Sequence, residues 1–190
     1  MMISTNEFRP GVAIEFRGGV WQVVEAMHVK PGKGSAFVQT KLKNLATGEV
    51  LRENFRAAER LPVATVEKLE MCYLYRDGQS FVMIDVTGAQ SLDLREEHFR
   101  DGIAFLAEGT DGIVVWLHRG NVLRVELPNT VTLAVAETTP DQRGDTASGS
   151  SKLARLETGA AILVPFYIEN GDVVRVDTRS GQYVGRVRIR

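Results

Sequence analysis

What this chain has little of narrows its chemistry first. It holds a single cysteine in 190 residues, so an intramolecular disulfide and a multi-cysteine metal site are both excluded. Its three histidines, His28, His98 and His118, stand far apart and have no His, Cys, Asp or Glu partners at metal-ligand spacing. There is no phosphate-binding loop, no Gly-x-Gly-x-x-Gly opening a helix and no Gly-x-Ser-x-Gly elbow. Paired carboxylates such as Glu96-Glu97 read as a solvated face. An enzyme reading therefore has no residues to rest on, and neither a cofactor nor a metal is expected. No apolar run approaches the roughly 18 residues needed to cross a bilayer, and the N-terminal segment lacks the apolar stretch of a signal peptide. The expected compartment is the cytoplasm, with no membrane partner.

What is present is ordinary for a globular protein: 44% hydrophobic and 25% charged residues. Cys72 falls in the apolar run Met71-Cys72-Tyr73-Leu74-Tyr75, which predicts a buried, inert thiol. The net charge of −1 hides an uneven distribution. Residues 1–64 carry 9 Lys+Arg against 6 Asp+Glu, residues 65–127 carry 6 against 11, and residues 128–190 carry 8 against 7. A mildly acidic middle argues against coating duplex nucleic acid by charge alone and fits contact at chosen points.

Periodicity divides the chain into three all-β modules, 1–64, 65–128 and 129–190. In the first, Val38, Thr40 and Leu42 alternate with Gln39, Lys41 and Lys43, the pattern of a half-buried strand. Gly18-Gly19 and Ala46-Thr47-Gly48 separate further short runs, which predicts hairpins and a small SH3-like barrel. Leu61-Pro62 marks its end, because proline cannot continue a strand ladder. In the second module Asp77-Gly78 and Arg119-Gly120 read as hairpin turns, and Leu94–Phe99 as a short helix. In the third, about five short strands and one long polar loop, 139–151, outline an OB-type barrel. The second module reads as an OB barrel as well, from a weaker pattern. Modules joined by almost no linker predict a stiff, extended molecule.

Three stretches carry candidate contacts. Between two predicted strands lies Lys30-Pro31-Gly32-Lys33-Gly34-Ser35-Ala36. Pro31-Gly32 suits the centre of a tight turn, because proline presets φ and glycine accepts positive φ; Gly34 adds a second bend. Lys33 is thus framed by two glycines at a hairpin end, either as a plain solvated lysine or as a cation held out on an arm. Gly144-Asp145-Thr146 lies in the polar loop, which reads either as a connection or as a binding loop for single-stranded RNA. Tyr183 and Arg186 follow a turn near the end of the chain. Tyr183 reads as a stacking ring or a core aromatic, and Arg186 as a phosphate contact.

The arm Lys30–Phe37, the loop Gly144-Asp145-Thr146, the segment Leu156–Pro165 and the ending Val176–Val184 together resemble the bacterial elongation factor P family, in order along the whole chain. The resemblance implies an SH3-like (KOW-type) barrel followed by two OB barrels in an L shape similar to tRNA. It implies a monomeric, non-catalytic partner of both ribosomal subunits, seated between the peptidyl and exit sites, that relieves stalling at consecutive prolines. Lys33, with Pro31, Gly32 and Gly34 around it, would face peptidyl-site tRNA and be the target of a lysine-modifying enzyme. Gly144, Asp145 and Thr146 would approach exit-site mRNA, and Tyr183 and Arg186 would touch tRNA or the ribosome. A paralogue of the factor, or another RNA-binding factor of transcription or ribosome assembly, shares these fold types. The intact Lys-Pro-Gly-Lys-Gly arm sets the factor apart from its paralogue.

Overall fold

A computed structural model describes residues 1–99, 102–138 and 151–187. Its described residues form strands and three short 3₁₀ turns, with no α-helix among them. They divide into two compact units: Met1–Lys68 with Trp116–Arg124, and Leu69–Val115 with Val125–Arg190.

The first unit is built on an SH3-like barrel. A two-stranded ribbon pairs β1 (Met2–Ser4) with β6 (Arg60–Pro62), and a four-stranded antiparallel sheet runs β2 (Ala13–Phe16), β3 (Gly19–Val29), β4 (Phe37–Asn44), β5 (Val50–Arg56). Alternation decides the facing, as the sequence predicts for β4: Val38, Thr40 and Leu42 are buried, while Gln39 and Lys43 are exposed. Buried Phe8, Ile14, Trp21, Val23, Leu42 and Phe55 make the core. Phe55 meets Phe8 and Phe16 edge to face at centroid distances of 5.7 and 5.2 Å. Thr40 is a polar residue within this interior, and its hydroxyl donates to the Glu53 carbonyl at 2.9 Å.

The hairpin signals mark the right places: Arg119-Gly120, at φ 51° and 77°, is a hairpin tip as expected, while two other turns sit one residue away from the expected pairs. Phe16 pairs with Gly19, so Arg17 and Gly18, at φ 48° and 74°, form the tip rather than Gly18-Gly19. Two consecutive positive φ values match the right-handed twist of the strands. Asp77 pairs with Ser80, which puts Gly78, at φ 57°, first in its turn. Pro62 closes the barrel by lying opposite Met2 in an edge ribbon, where its missing N–H costs no ladder bond.

Downstream, one five-stranded sheet has the order β11 (Asn121–Glu126), β10 (Ile113–His118), β7 (Glu67–Asp77), β8 (Ser80–Asp85), β9 (Ser91–Arg95). The expected helix at Leu94–Phe99 is absent. Leu94 is a fully buried strand residue opposite Phe81, and only Glu96–His98 turn, as a 3₁₀ element. Six residues are too few for periodicity to separate a turn from a helix. Cys72 is half-buried rather than buried. Burial pushes its thiol pKa up, as does the Asp111 carboxylate beside it, so the thiolate is disfavoured.

The last five-stranded sheet runs β14 (Ala161–Pro165), β13 (Ser151–Leu156), β12 (Thr130–Thr138), β15 (Val173–Asp177), β16 (Tyr183–Val187). Its core includes Leu133, Val135, Leu156, Val164, Ile168 and Val174. The two five-stranded sheets are the OB-type part of the chain, and the fold is all-β, as the sequence predicts.

Candidate nucleic-acid interface

The arm is an extension of the β3–β4 hairpin. Strand pairing persists to the rung Val29–Phe37, with a bulge between Val23 and Glu25 that sharpens the local twist. Seven residues, Lys30–Ala36, then close the loop. The Ala57 N–H donates to the Ala36 carbonyl at 3.1 Å and ties the returning end to the segment after β5. Pro31 is half-buried, while Gly32, Lys33, Gly34 and Ser35 are exposed. The left-handed residue is Gly34, at φ 106°, whereas Gly32 takes no positive φ. A side chain at Gly34 would be strained there. Lys33 stands exposed, and no carboxylate comes within ion-pair reach of it among the described residues.

The second candidate lies in the other unit. Asp177 organises the turn before β16: its carboxylate accepts the N–H groups of Arg179 and Ser180 at 2.9 and 3.0 Å. The Ser180 N–H, then the Arg179 side chain and N–H, hold its pKa below the usual carboxylate range. Gly181, at φ 67°, completes the turn. Tyr183 then packs its half-buried ring against the C-terminal core, and its hydroxyl lies 3.1 Å from that of Tyr167. Arg186 is already engaged, with Nη2 2.6 Å from Asp172 Oδ1, although its side chain is 48% exposed. A phosphate would have to share or displace that carboxylate. Tyr167, Asp172, Tyr183 and Arg186 line one groove of about 830 Å³.

The sequence reading missed Tyr167, which is 61% exposed. Its signal was an aromatic pair, Phe166-Tyr167, directly after the strand-ending Pro165. Gly144, Asp145 and Thr146 lie outside the described residues. The histidines are separately employed. His28 is exposed, His98 Nδ1 accepts the Arg95 N–H at 2.9 Å, and His118 Nδ1 meets the Thr65 carbonyl at 2.7 Å. Among the described residues no three His, Cys, Asp or Glu side chains converge to hold a metal, and no helix is long and apolar enough to cross a membrane.

Burial, and then the hydrogen bond with Tyr167, push the Tyr183 phenol from 10.0 up to about 12. The sign follows: the folded state holds this proton more tightly, so the contribution to stability is full below pH 10 and is lost as pH rises towards about 12. Phenolate absorbance of the wild type is expected to keep a late component above the ordinary tyrosine range; burial raises the Tyr73 phenol as well, so Tyr183→Phe is expected to shrink that component and remove its latest part. An unchanged late component would assign it elsewhere.

Known proteins fit this geometry. A model described as the elongation factor P KOW-like domain matches residues 4–61, the elongation factor P OB domain matches 66–125, and the elongation factor P C-terminal domain matches 131–186. Elongation factor P of Moorella thermoacetica is 53% identical over 185 residues, covering 97% of this chain and 100% of that protein. That of Desulforudis audaxviator is 54% identical over 185 residues with the same coverage. Among solved structures, a translation initiation factor eIF-5A family protein from Naegleria fowleri gives a TM-score of 0.54 at 16% identity, over 67% of this chain and 98% of that one. At that identity the likeness is one of fold.

Proposed function

Because this chain belongs to the elongation factor P family, and is therefore a ribosome-associated translation elongation factor, we propose that it speeds peptide-bond formation at consecutive prolines by positioning peptidyl-tRNA through Lys33. The observation that carries this reading is an exposed lysine with no carboxylate partner among the described residues, in a loop that continues a long, well-paired hairpin. A proline bonded to proline is a stiff reactant, and the obstacle is alignment of the reacting groups. Fixing reactants in productive geometry can remove up to about 7–11 kcal/mol in model reactions. A cation resting against phosphates and 2′-hydroxyls of the tRNA end supplies a fraction of that without acid or base chemistry, so no catalytic residue is required.

The reading extends to the rest of the chain as a division into modules 1–64, 65–128 and 129–190, supported by the bounds of the three family models. Binding lies between the peptidyl and exit sites. Gly144-Asp145-Thr146 contacts exit-site mRNA, and Tyr183 and Arg186 contact tRNA or the ribosome. A lysine-modifying enzyme lengthens Lys33, and the open space around Gly32 supports access to it. The mass of the Lys33 peptide from the native host tests that part; an unextended mass removes it. For the function itself, purified chain added to a translation reaction is expected to raise full-length product from a message with three consecutive prolines. A control message without them should respond little. An equal response of both messages, or of neither, would overturn the reading.

A further inference from the structure

We propose that Asn6 is a positioning residue for the arm, holding the returning end of the Lys30–Ala36 loop in place through the turn that follows β5. The hairpin ladder ends at the rung Val29–Phe37, and Phe37 is paired with Arg56 on its other side. One residue further out, the Ala36 carbonyl accepts the Ala57 N–H at 3.1 Å. Among the described residues this is the only hydrogen bond that joins the loop to chain outside β3 and β4. How firmly the loop returns to the barrel therefore depends on how firmly Ala57 is held.

Ala57 lies in a strained turn. Its neighbour Ala58 takes φ 63°, a left-handed conformation that a methyl group disfavours. Across the turn the Glu59 N–H donates to the Arg56 carbonyl at 3.2 Å, and the Arg56 N–H donates to Glu59 Oε2 at 3.1 Å. The N-terminal segment supplies the rest. Pairing of β1 with β6 sets Ser4 opposite Arg60 and so brings Thr5 and Asn6 against residues 56–59. The buried Thr5 donates its hydroxyl to the Arg56 carbonyl and its N–H to the Glu59 carbonyl, both at 2.8 Å. Asn6 Oδ1 accepts the Ala58 N–H at 3.2 Å. A capping box aims that side chain: Ser4 Oγ accepts the Asn6 N–H at 3.3 Å, and Glu7 Oε2 accepts the Ser4 N–H at 3.0 Å. Asn6 is exposed, so it fills no core; what it holds is the strained residue next to the arm's anchor. Without its acceptor Ala58 relaxes towards an ordinary φ, and the Ala57 N–H swings away from Ala36. The loop then closes less tightly and the Lys33 cation samples more positions. Positioning works by restricting that freedom in advance. The link from the brace to peptide-bond formation rests on the proposed function.

The test reads amide hydrogen exchange and translation, both on the full chain. In Asn6→Ala the Ala57 amide, whose own acceptor is untouched, is expected to exchange about tenfold faster. The amide of Leu42, in the interior strand β4, should keep its wild-type rate. Asn6→Asp retains an acceptor oxygen for the Ala58 N–H and is expected to restore slow exchange at Ala57. On a message with three consecutive prolines, Asn6→Ala is expected to lower the rate at saturating factor about threefold. The factor concentration for half-maximal effect should not change, because the charges that face a partner are all still present. Asn6→Asp is expected to recover the rate. A merely structural role would speed exchange at Leu42 along with Ala57 and bring an earlier unfolding midpoint, and that result overturns the proposal. So does an unchanged Ala57 exchange rate in Asn6→Ala. Full activity of Asn6→Ala beside an inactive Lys33→Ala counts against the brace alone. A wild type without a proline-specific response, with Ala57 exchange responding as expected, counts against the proposed function alone.

Discussion

Lys33→Ala is expected to reduce the factor-dependent rate of proline–proline bond formation at least tenfold, towards the rate without the factor, while leaving the protein folded. Tenfold is about 1.4 kcal/mol of barrier, a modest part of what positioning can supply. The side chain is exposed, and no carboxylate among the described residues lies within ion-pair reach of it. The unfolding midpoint should therefore stay within the ±0.5 kcal/mol usual for surface substitutions. Lys33→Arg keeps the charge but swaps a compact ammonium for a planar fork, so it is expected to recover part of the rate. Because the contact is ionic, the wild-type advantage should shrink as salt rises. A Lys33→Ala protein that relieves stalling as well as wild type would show that the arm serves another purpose.

The largest stability effect is expected at Leu42. Its side chain is fully buried among Phe8, Ile14, Trp21, Val23 and Phe55. Leu42→Ala removes buried methyl groups and leaves a cavity that a closely packed barrel fills only in part, at about 2–5 kcal/mol. Whole domains are stable by only about 5–15 kcal/mol, so the loss is a large share for so small a unit. Urea unfolding should show an earlier midpoint for the signal of Trp21, which belongs to this core. A shift worth under about 1 kcal/mol would mean that the cluster is not what holds the barrel. The pair separates two kinds of failure: Leu42→Ala should lose activity only as it unfolds, and Lys33→Ala should lose it while folded.

Several features were legible before any coordinates. Alternation in β4 assigned Val38, Thr40 and Leu42 to the interior, because a strand gives successive side chains opposite faces and only one face is dry. Glycine pairs located the hairpins, because few residues accept positive φ. The arm stood out for its composition, and Lys33 proved exposed. The register of turns was less legible: Arg17 takes a left-handed conformation that its side chain disfavours, because strand pairing on both sides holds it there. Leu94 went to a strand rather than a helix because Phe81 lies opposite it.

By itself, then, the residue order determined the class of fold, the positions of most strands and the place of the arm. All of these follow from local rules about periodicity and backbone freedom. Only the tertiary structure decided that Arg186 shares its charge with Asp172, that Tyr167 stands beside Tyr183, and that Lys41, Lys43, Arg52 and Arg56 lie on one face with a single carboxylate. The reason is physical. Such partners come from different strands, and which ones meet depends on register, a property of how chains pair rather than of any stretch read alone.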